Sequence, residues 1–206
     1  MAFRVVPKGR GARLLVATTA ACFAATGVAN ASCPARDVSQ PFSQFGDSAF
    51  YALLPDGAFE SGGAGWSLNG NSITSENEKY YAHAAADALS LQIKANTSVV
   101  SPSFCVDQDM PSLRLFAKKV DKTKGGLKVE ILYTGVAGTP KVAPAGTVAN
   151  GAKLEFADWK PSGLLKLSTV LPLSKGGTAS VQLRITADSG GDWSIDDVYA
   201  DPRARR

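Results

Sequence analysis

The sequence predicts an all-β chain folded as a single β-sandwich of two antiparallel sheets, and three observations predict it. Short apolar/polar alternations recur along the chain: Leu127, Val129, Ile131 and Tyr133 interleave with Lys128, Glu130 and Leu132, and Val181, Leu183 and Ile185 with Gln182, Arg184 and Thr186. Turns rich in Gly and Pro separate these runs. No long amphipathic helix, tandem repeat or strand–helix alternation accompanies them. One-sided sheets must bury their apolar faces against each other, so many short strands between tight turns make a sandwich.

The first 31 residues are set apart from that fold. Residues 1–13 carry Arg4, Lys8, Arg10 and Arg13 with no acid, residues 14–29 carry no charge, and Ala29-Asn30-Ala31 places small residues where a signal peptidase reads. This is the pattern of a cleaved secretory signal, so the chain is expected to be secreted, outside the cell or held in its envelope. The apolar run is short for a bilayer span of about 20 residues. A lipoprotein start at Cys33 lacks the aliphatic residue expected three positions before the cysteine.

Cleavage changes the charge argument. The full chain has 22 Lys+Arg against 18 Asp+Glu; all four basic residues of the signal leave, and 22 less 4 gives 18 against 18. A neutral mature chain has no electrostatic footprint for nucleic acid. Its 175 residues (206 less 31) suffice for one core. Cys22 leaves with the signal, so Cys33 and Cys105 remain as a pair in an oxidising compartment and are expected to form a disulfide. Closing that loop stabilises the fold by about 4 kcal/mol in the chain-entropy model.

Taken in order, residues 32–47 read as an extended N-terminal arm, with Pro34 and Pro41 in it and Phe42 and Phe45 plugging it to the body. The sandwich domain spans 48–201, and 202–206 form a basic tail. Residues 49–54 are the first expected strand, stopped by Pro55-Asp56-Gly57. A glycine-rich turn at 57–66 carries Phe59 and Trp66, and short strands at 66–68 and 72–74 flank Asn69-Gly70-Asn71. Residues 76–88 are the least strand-like and too weakly patterned for a helix. Strands follow at 90–93, 99–106, 112–120, 127–133 and 142–148. A loop at 155–163 precedes the last strands at 165–173, 180–186 and 193–200.

The last strand poses a problem. Asp196 and Asp197 are adjacent between Ile195 and Val198, and strand residues alternate between faces, so one carboxylate is driven inward unless a bulge re-aims it. A buried carboxylate must be paired, hydrogen-bonded, cation-bound or protonated.

Two pieces resemble a known family. Gly57-Ala58-Phe59-Glu60 followed by Trp66 resembles the "N-G-D-F-E … G-W" opening of jelly-roll carbohydrate-binding modules of the galactose-binding-like type. Trp193-Ser194-Ile195-Asp196-Asp197-Val198-Tyr199 resembles their closing strand. The mature chain also resembles small secreted actinobacterial proteins. The resemblance implies a jelly-roll sandwich and a structural Ca²⁺ near one end, with Glu60, Asp196 and Asp197 as its acidic ligands. Gly57-Ala58 stands where the family has G-D, removing one acid. The alternative is that these carboxylates accept backbone N–H groups or pair with Arg184.

Other candidates carry less. His83 is the only histidine and Asp87 follows at i+4, but no nucleophile elbow accompanies them, and no enzyme is expected. A zinc centre is not expected from one histidine and two disulfide cysteines. Tyr80, Tyr81 and Trp159 are the candidate sugar-stacking rings. Trp66 and Trp193 read as core anchors. Lys118, Lys119, Lys122, Lys124 and Lys128 could meet an anionic wall polymer or simply solvate a hairpin. The expected function is a secreted, non-catalytic binding module for an extracellular polysaccharide or cell-wall polymer. A structural or adhesive envelope protein is the alternative.

Overall fold

The computed structural model describes residues 33–201 apart from 109, 122–123, 136–137, 150–155, 168–170, 172 and 174–176. The expected export signal at 1–31, the basic tail at 202–206 and Lys122 lie outside the described residues.

Among the described residues, twelve strands build a jelly-roll sandwich of two antiparallel sheets. The strands are β1 (Ala52–Leu53), β2 (Ser72–Thr74), β3 (Ser90–Ile93), β4 (Ser98–Val100), β5 (Phe104–Asp107), β6 (Ser112–Lys119), β7 (Leu127–Thr134), β8 (Pro140–Val148), β9 (Lys160–Pro161), β10 (Leu165–Lys166), β11 (Thr178–Ala187) and β12 (Trp193–Ala200). A seven-stranded sheet runs β10-β6-β12-β3-β2, with β1 on β12 and β9 on β6. The five-stranded sheet runs β4-β11-β7-β8, with β5 also on β11.

The departures from expectation have local causes. The strand expected at 99–106 is two strands, because Pro102 lacks the N–H a ladder needs; β4 and β5 then pair with successive parts of β11. The strand expected at 49–54 narrows to β1, with Tyr51 bridged to Ser39 of the arm. The strand expected at 66–68 reduces to one bridge, Ser67 to Val100. The loop expected at 155–163 contains β9, which pairs with β6 at Phe116 and Ala117.

Leu91, Ile93, Leu113 and Leu115 face Val129, Ile131, Leu183 and Ile185 between the sheets, all fully buried. Trp66 and Trp193 belong to this core, as expected. A second cluster lies outside the seven-stranded sheet: Phe42, Tyr51, Phe116, Trp159 and Tyr199, with Phe45 and Tyr80 against it. The arm closes over that face, turning through a short 3₁₀ segment at Ser43–Phe45. Its origin is fixed by the Cys33–Cys105 disulfide, with Cα atoms 5.5 Å apart. With apolar layers on both sides, all eight residues of β12 are buried.

Candidate functional site

The two aspartates lie where β12 changes neighbours. Trp193, Ser194 and Ile195 pair with β3, whereas Tyr199 and Ala200 pair with β1. Between them the register against β6 slips between Asp196 and Tyr199, and Asp197 adopts a φ of 50°. This is a β-bulge, the extra residue that re-aims the strand. It lets Ile195 and Val198 both reach the inner core while Tyr199 joins the outer aromatic cluster. Gly57 crosses beside the bulge; a Cβ there would meet the Val198 carbonyl oxygen at 2.8 Å. Its carbonyl accepts the Val198 N–H at 3.0 Å, and the Val198 carbonyl accepts the Leu54 N–H at 2.9 Å.

The irregular segment 76–89 folds over this notch and is pinned by carboxylates. Asp196 Oδ2 accepts the Glu78 N–H at 3.1 Å, and its Oδ1 accepts the Asp197 N–H at 2.8 Å. Asp197 Oδ2 accepts the His83 N–H at 3.1 Å. Glu78, itself fully buried, accepts the Tyr80 and Ala82 N–H groups. Glu60 Oε1 accepts the N–H groups of Ala88 and Leu89 at 2.9 and 2.7 Å. Arg184, the other partner considered for the aspartates, lies on the five-stranded sheet and donates from Nε to Glu130 at 2.8 Å.

The result is a dense acidic notch. Burial, then the neighbouring Asp197 and Glu78 charges, push Asp196 up to about 9. Burial, then Glu78 and Asp87, push Asp197 up to about 8. Burial also raises Glu78. Asp197 Oδ1 is buried with no hydrogen-bond partner.

The calcium ligand set implied by the sequence is not assembled as one group. Both oxygens of Asp196 accept backbone N–H groups, and Glu60 Oε1 holds two. Among the described residues, the side chains that bring ligand atoms within 4.8 Å of one another are His83, Asp87 and Asp197. Only Asp197 is common to the two sets. His83 and Asp87 carry a readable signal, a histidine and an aspartate at i, i+4. Glu78 carries none, because nothing in its polar, irregular surroundings marks it for burial.

The three aromatic candidates have different places. Trp159 is 3% exposed inside the outer cluster, with Lys118 Nζ 5.5 Å from its ring centroid. Tyr80 is half-buried; its hydroxyl donates to the Trp159 carbonyl at 3.1 Å and its ring meets Phe45 edge-on at 4.8 Å. Tyr81 is 53% exposed. The structure thus brings Tyr80 and Trp159 together as packing and leaves Tyr81 with its ring in solvent. The lysines are drawn to separate partners: Lys118 to Glu76, Lys128 to Glu130 at 2.5 Å, and buried Lys119 to within 5.3 Å of the Trp193 ring centroid.

A groove not foreseen from sequence crosses β7, β8 and β11 on the five-stranded sheet. It encloses about 400 Å³ and is lined by groups including Ser103, Leu132, Lys141, Val142, Ser180 and Gln182. The Ser103 and Ser180 hydroxyls are 2.6 Å apart, and Gln182 Nε2 donates to the Ser101 carbonyl at 3.0 Å. One aromatic residue, half-buried Tyr133, is part of the lining and also packs against the core, whereas Phe104 is buried.

No protein-family model and no curated protein matches the chain. Solved structures do. The fold is similar to that of a structure of Clostridium thermocellum endo-1,4-β-D-xylanase 10B comprising a family 22 carbohydrate-binding module and a family 10 catalytic module, complexed with xylohexaose. The TM-score is 0.51 and the identity 17%, over 76% of this chain and 29% of that one. The chain therefore spans under a third of that structure's length. The family 22 xylan-binding domain of Paenibacillus barcinonensis Xyn10C superposes more loosely, at a TM-score of 0.48 and 16% identity, over 70% of this chain and 90% of that one. The first of these likenesses shows the fold, a jelly-roll β-sandwich.

Proposed function

We propose that this chain is a secreted, non-catalytic module that binds extracellular carbohydrate. The groove on the five-stranded sheet carries the reading: it is open enough for a sugar chain and lined by hydroxyl, amide and apolar groups. Such a lining suits a polyol, whose hydroxyls need hydrogen-bond partners and whose ring faces need apolar contact. The sandwich that bears it has the fold of a xylanase's binding module, which lends support to a polysaccharide partner. Non-catalysis accords with the acidic notch, where Asp196 and Asp197 are buried, Asp196 accepting two backbone N–H groups and Asp197 one.

The purified chain, assayed by affinity electrophoresis and calorimetry against xylan, galactan, β-glucan and cell-wall polymers, should bind at least one of them. Gln182→Ala and Val142→Asp should weaken that binding about tenfold, the latter, at an exposed position, without moving the melting temperature. Retained affinity in both variants would move the site off this groove. Failure on every polymer would sink the carbohydrate reading and leave the adhesive envelope role.

A further inference from the structure

We propose that the carbohydrate this chain takes is acidic: a uronic-acid-bearing polysaccharide whose carboxylates meet Arg36 in a pocket that continues the groove past Ser103. The proposal rests on the groove reading and narrows it to one class of polymer.

The pocket lies where the N-terminal arm leaves the disulfide. It encloses about 310 Å³ between Pro34 and Arg36 of the arm, Leu53 of β1, Pro55 after it, and Phe104. Ser103 lines both this pocket and the groove, so the two are neighbours on one surface. Cys105 is part of the pocket wall, and its bond to Cys33 sets the arm, and with it Arg36, at this edge.

The charge of that surface has one sign. The charged residues lining the groove and the pocket are Lys141 and Arg36, both basic, and no acid lines either. Lys141 belongs to β8, and Arg36 is held by the Cys105 carbonyl of β5. The order β5-β11-β7-β8 puts three strand spacings, roughly 14 Å, between those strands. A polymer lying across the sheet thus meets a cation on either side.

Arg36 is the group that answers a carboxylate. Its side chain is half-buried, with Nη1 donating to Met110 Sδ at 2.9 Å and Nη2 to the Cys105 carbonyl. Both acceptors are neutral, and no acid among the described residues forms an ion pair with it. Burial pulls the guanidinium below its ordinary value, with the Asp107 charge opposing, and it stays protonated at any working pH. A half-buried cation without an ion pair has lost hydration that a bound anion gives back. The guanidinium offers a planar fork of N–H donors that matches a carboxylate, and the apolar walls suit the C–H face of a pyranose. A neutral sugar would leave the charge unanswered.

The test compares polymers that differ only in their acid groups: polygalacturonate and glucuronoxylan, each beside its carboxyl-reduced, neutral counterpart, by affinity electrophoresis and calorimetry with the purified chain. At least one acidic polymer should bind about tenfold tighter than its neutral counterpart, and the gap should narrow as salt rises. Arg36→Gln should erase the gap and leave the affinity for the neutral form in place, whereas Arg36→Lys should keep part of it. Pro34→Glu, at an exposed position on the rim, should also erase it while leaving the half-buried guanidinium intact. Gln182→Ala, in the groove, should weaken both forms alike. Equal affinity of the parent for acidic and neutral forms overturns the proposal while the groove reading stands. So does a gap that survives in a folded Arg36→Gln or in Pro34→Glu. Dextran sulfate bound as tightly as the uronate polymers also overturns it, because that response is to charge density alone. No binding to any polymer overturns both readings.

Discussion

Arg114 Nη1 lies 2.7 Å from Asp47 Oδ2, joining the middle of β6 to a residue of the N-terminal arm 67 positions away. The same oxygen accepts the Tyr51 hydroxyl at 2.7 Å, and the guanidinium carbon stands 4.3 Å from the Phe42 ring centroid. The pair therefore clamps the arm over the outer aromatic cluster. Burial alone would raise the Asp47 carboxyl, but bonds from Tyr51, the Ala49 N–H and Arg114 outweigh it and hold the group below its ordinary value. A folded value below the unfolded one means that the unfolded chain binds more protons in that window. The contribution is thus complete above about pH 4 and lost as pH falls through the folded value. Asp47→Asn should cost about 1–2 kcal/mol at pH 7, after allowance for partial exposure, and little at pH 2. Urea melts at the two pH values check this; an equal loss at both would show that shape, not charge, holds the arm.

The disulfide fastens the other end of that arm. Cys33 and Cys105 enclose a sequence separation of 72 residues. Reduction, or a Cys33→Ser/Cys105→Ser double variant, should remove about 4 kcal/mol in the chain-entropy account. Denaturant melts with and without reductant measure it. A difference under about 1 kcal/mol would mean that the arm's aromatic packing alone holds the unfolded-state loop closed.

Most of the strand pattern was legible in the sequence, because a half-buried strand writes its two faces into alternate residues. Leu127–Thr134 and Thr178–Ala187 show this, and both lie near their expected bounds. The bulge problem was legible too, since Ile195, Asp196, Asp197 and Val198 cannot all satisfy one alternation. Its resolution was not. The oxygens of Asp196 are filled by N–H groups from Glu78 and Asp197, one of them 118 positions away, and no local pattern announces a bond of that span. Trp159 was misleading for a related reason: it sits in a polar loop, but β9 carries that loop onto β6 beside Phe116, where the arm adds Phe42 from above. Burial there comes from three distant segments meeting, not from periodicity.

That difference between Trp159 and Tyr81 is measurable. Trp159→Ala empties a buried ring site and should cost about 3–5 kcal/mol. Tyr81→Ala truncates an exposed ring and should change stability by less than about 0.5 kcal/mol. Thermal melts of the two variants beside polysaccharide binding separate packing from recognition. A Trp159→Ala variant that melts like the parent yet loses binding would restore Trp159 as a ligand contact.

The acidic notch should give the chain an unusual pH profile. Asp196 and Asp197 have folded values raised to about 9 and about 8, against an ordinary value of 3.8. A carboxyl raised on folding makes the folded state bind more protons than the unfolded state between those values. Its contribution is therefore complete below about pH 4 and lost as pH rises through the folded values. This window lies above that of Asp47, so the two effects do not overlap. In EDTA, stability should fall steadily from pH 5 to pH 9. Asp197→Asn should flatten that fall, because an amide oxygen can still accept the His83 N–H while its NH₂ takes the unpartnered position of Oδ1 without charge. Melting temperatures across the range decide it: a flat profile for the parent would show that the notch carries its charges without penalty.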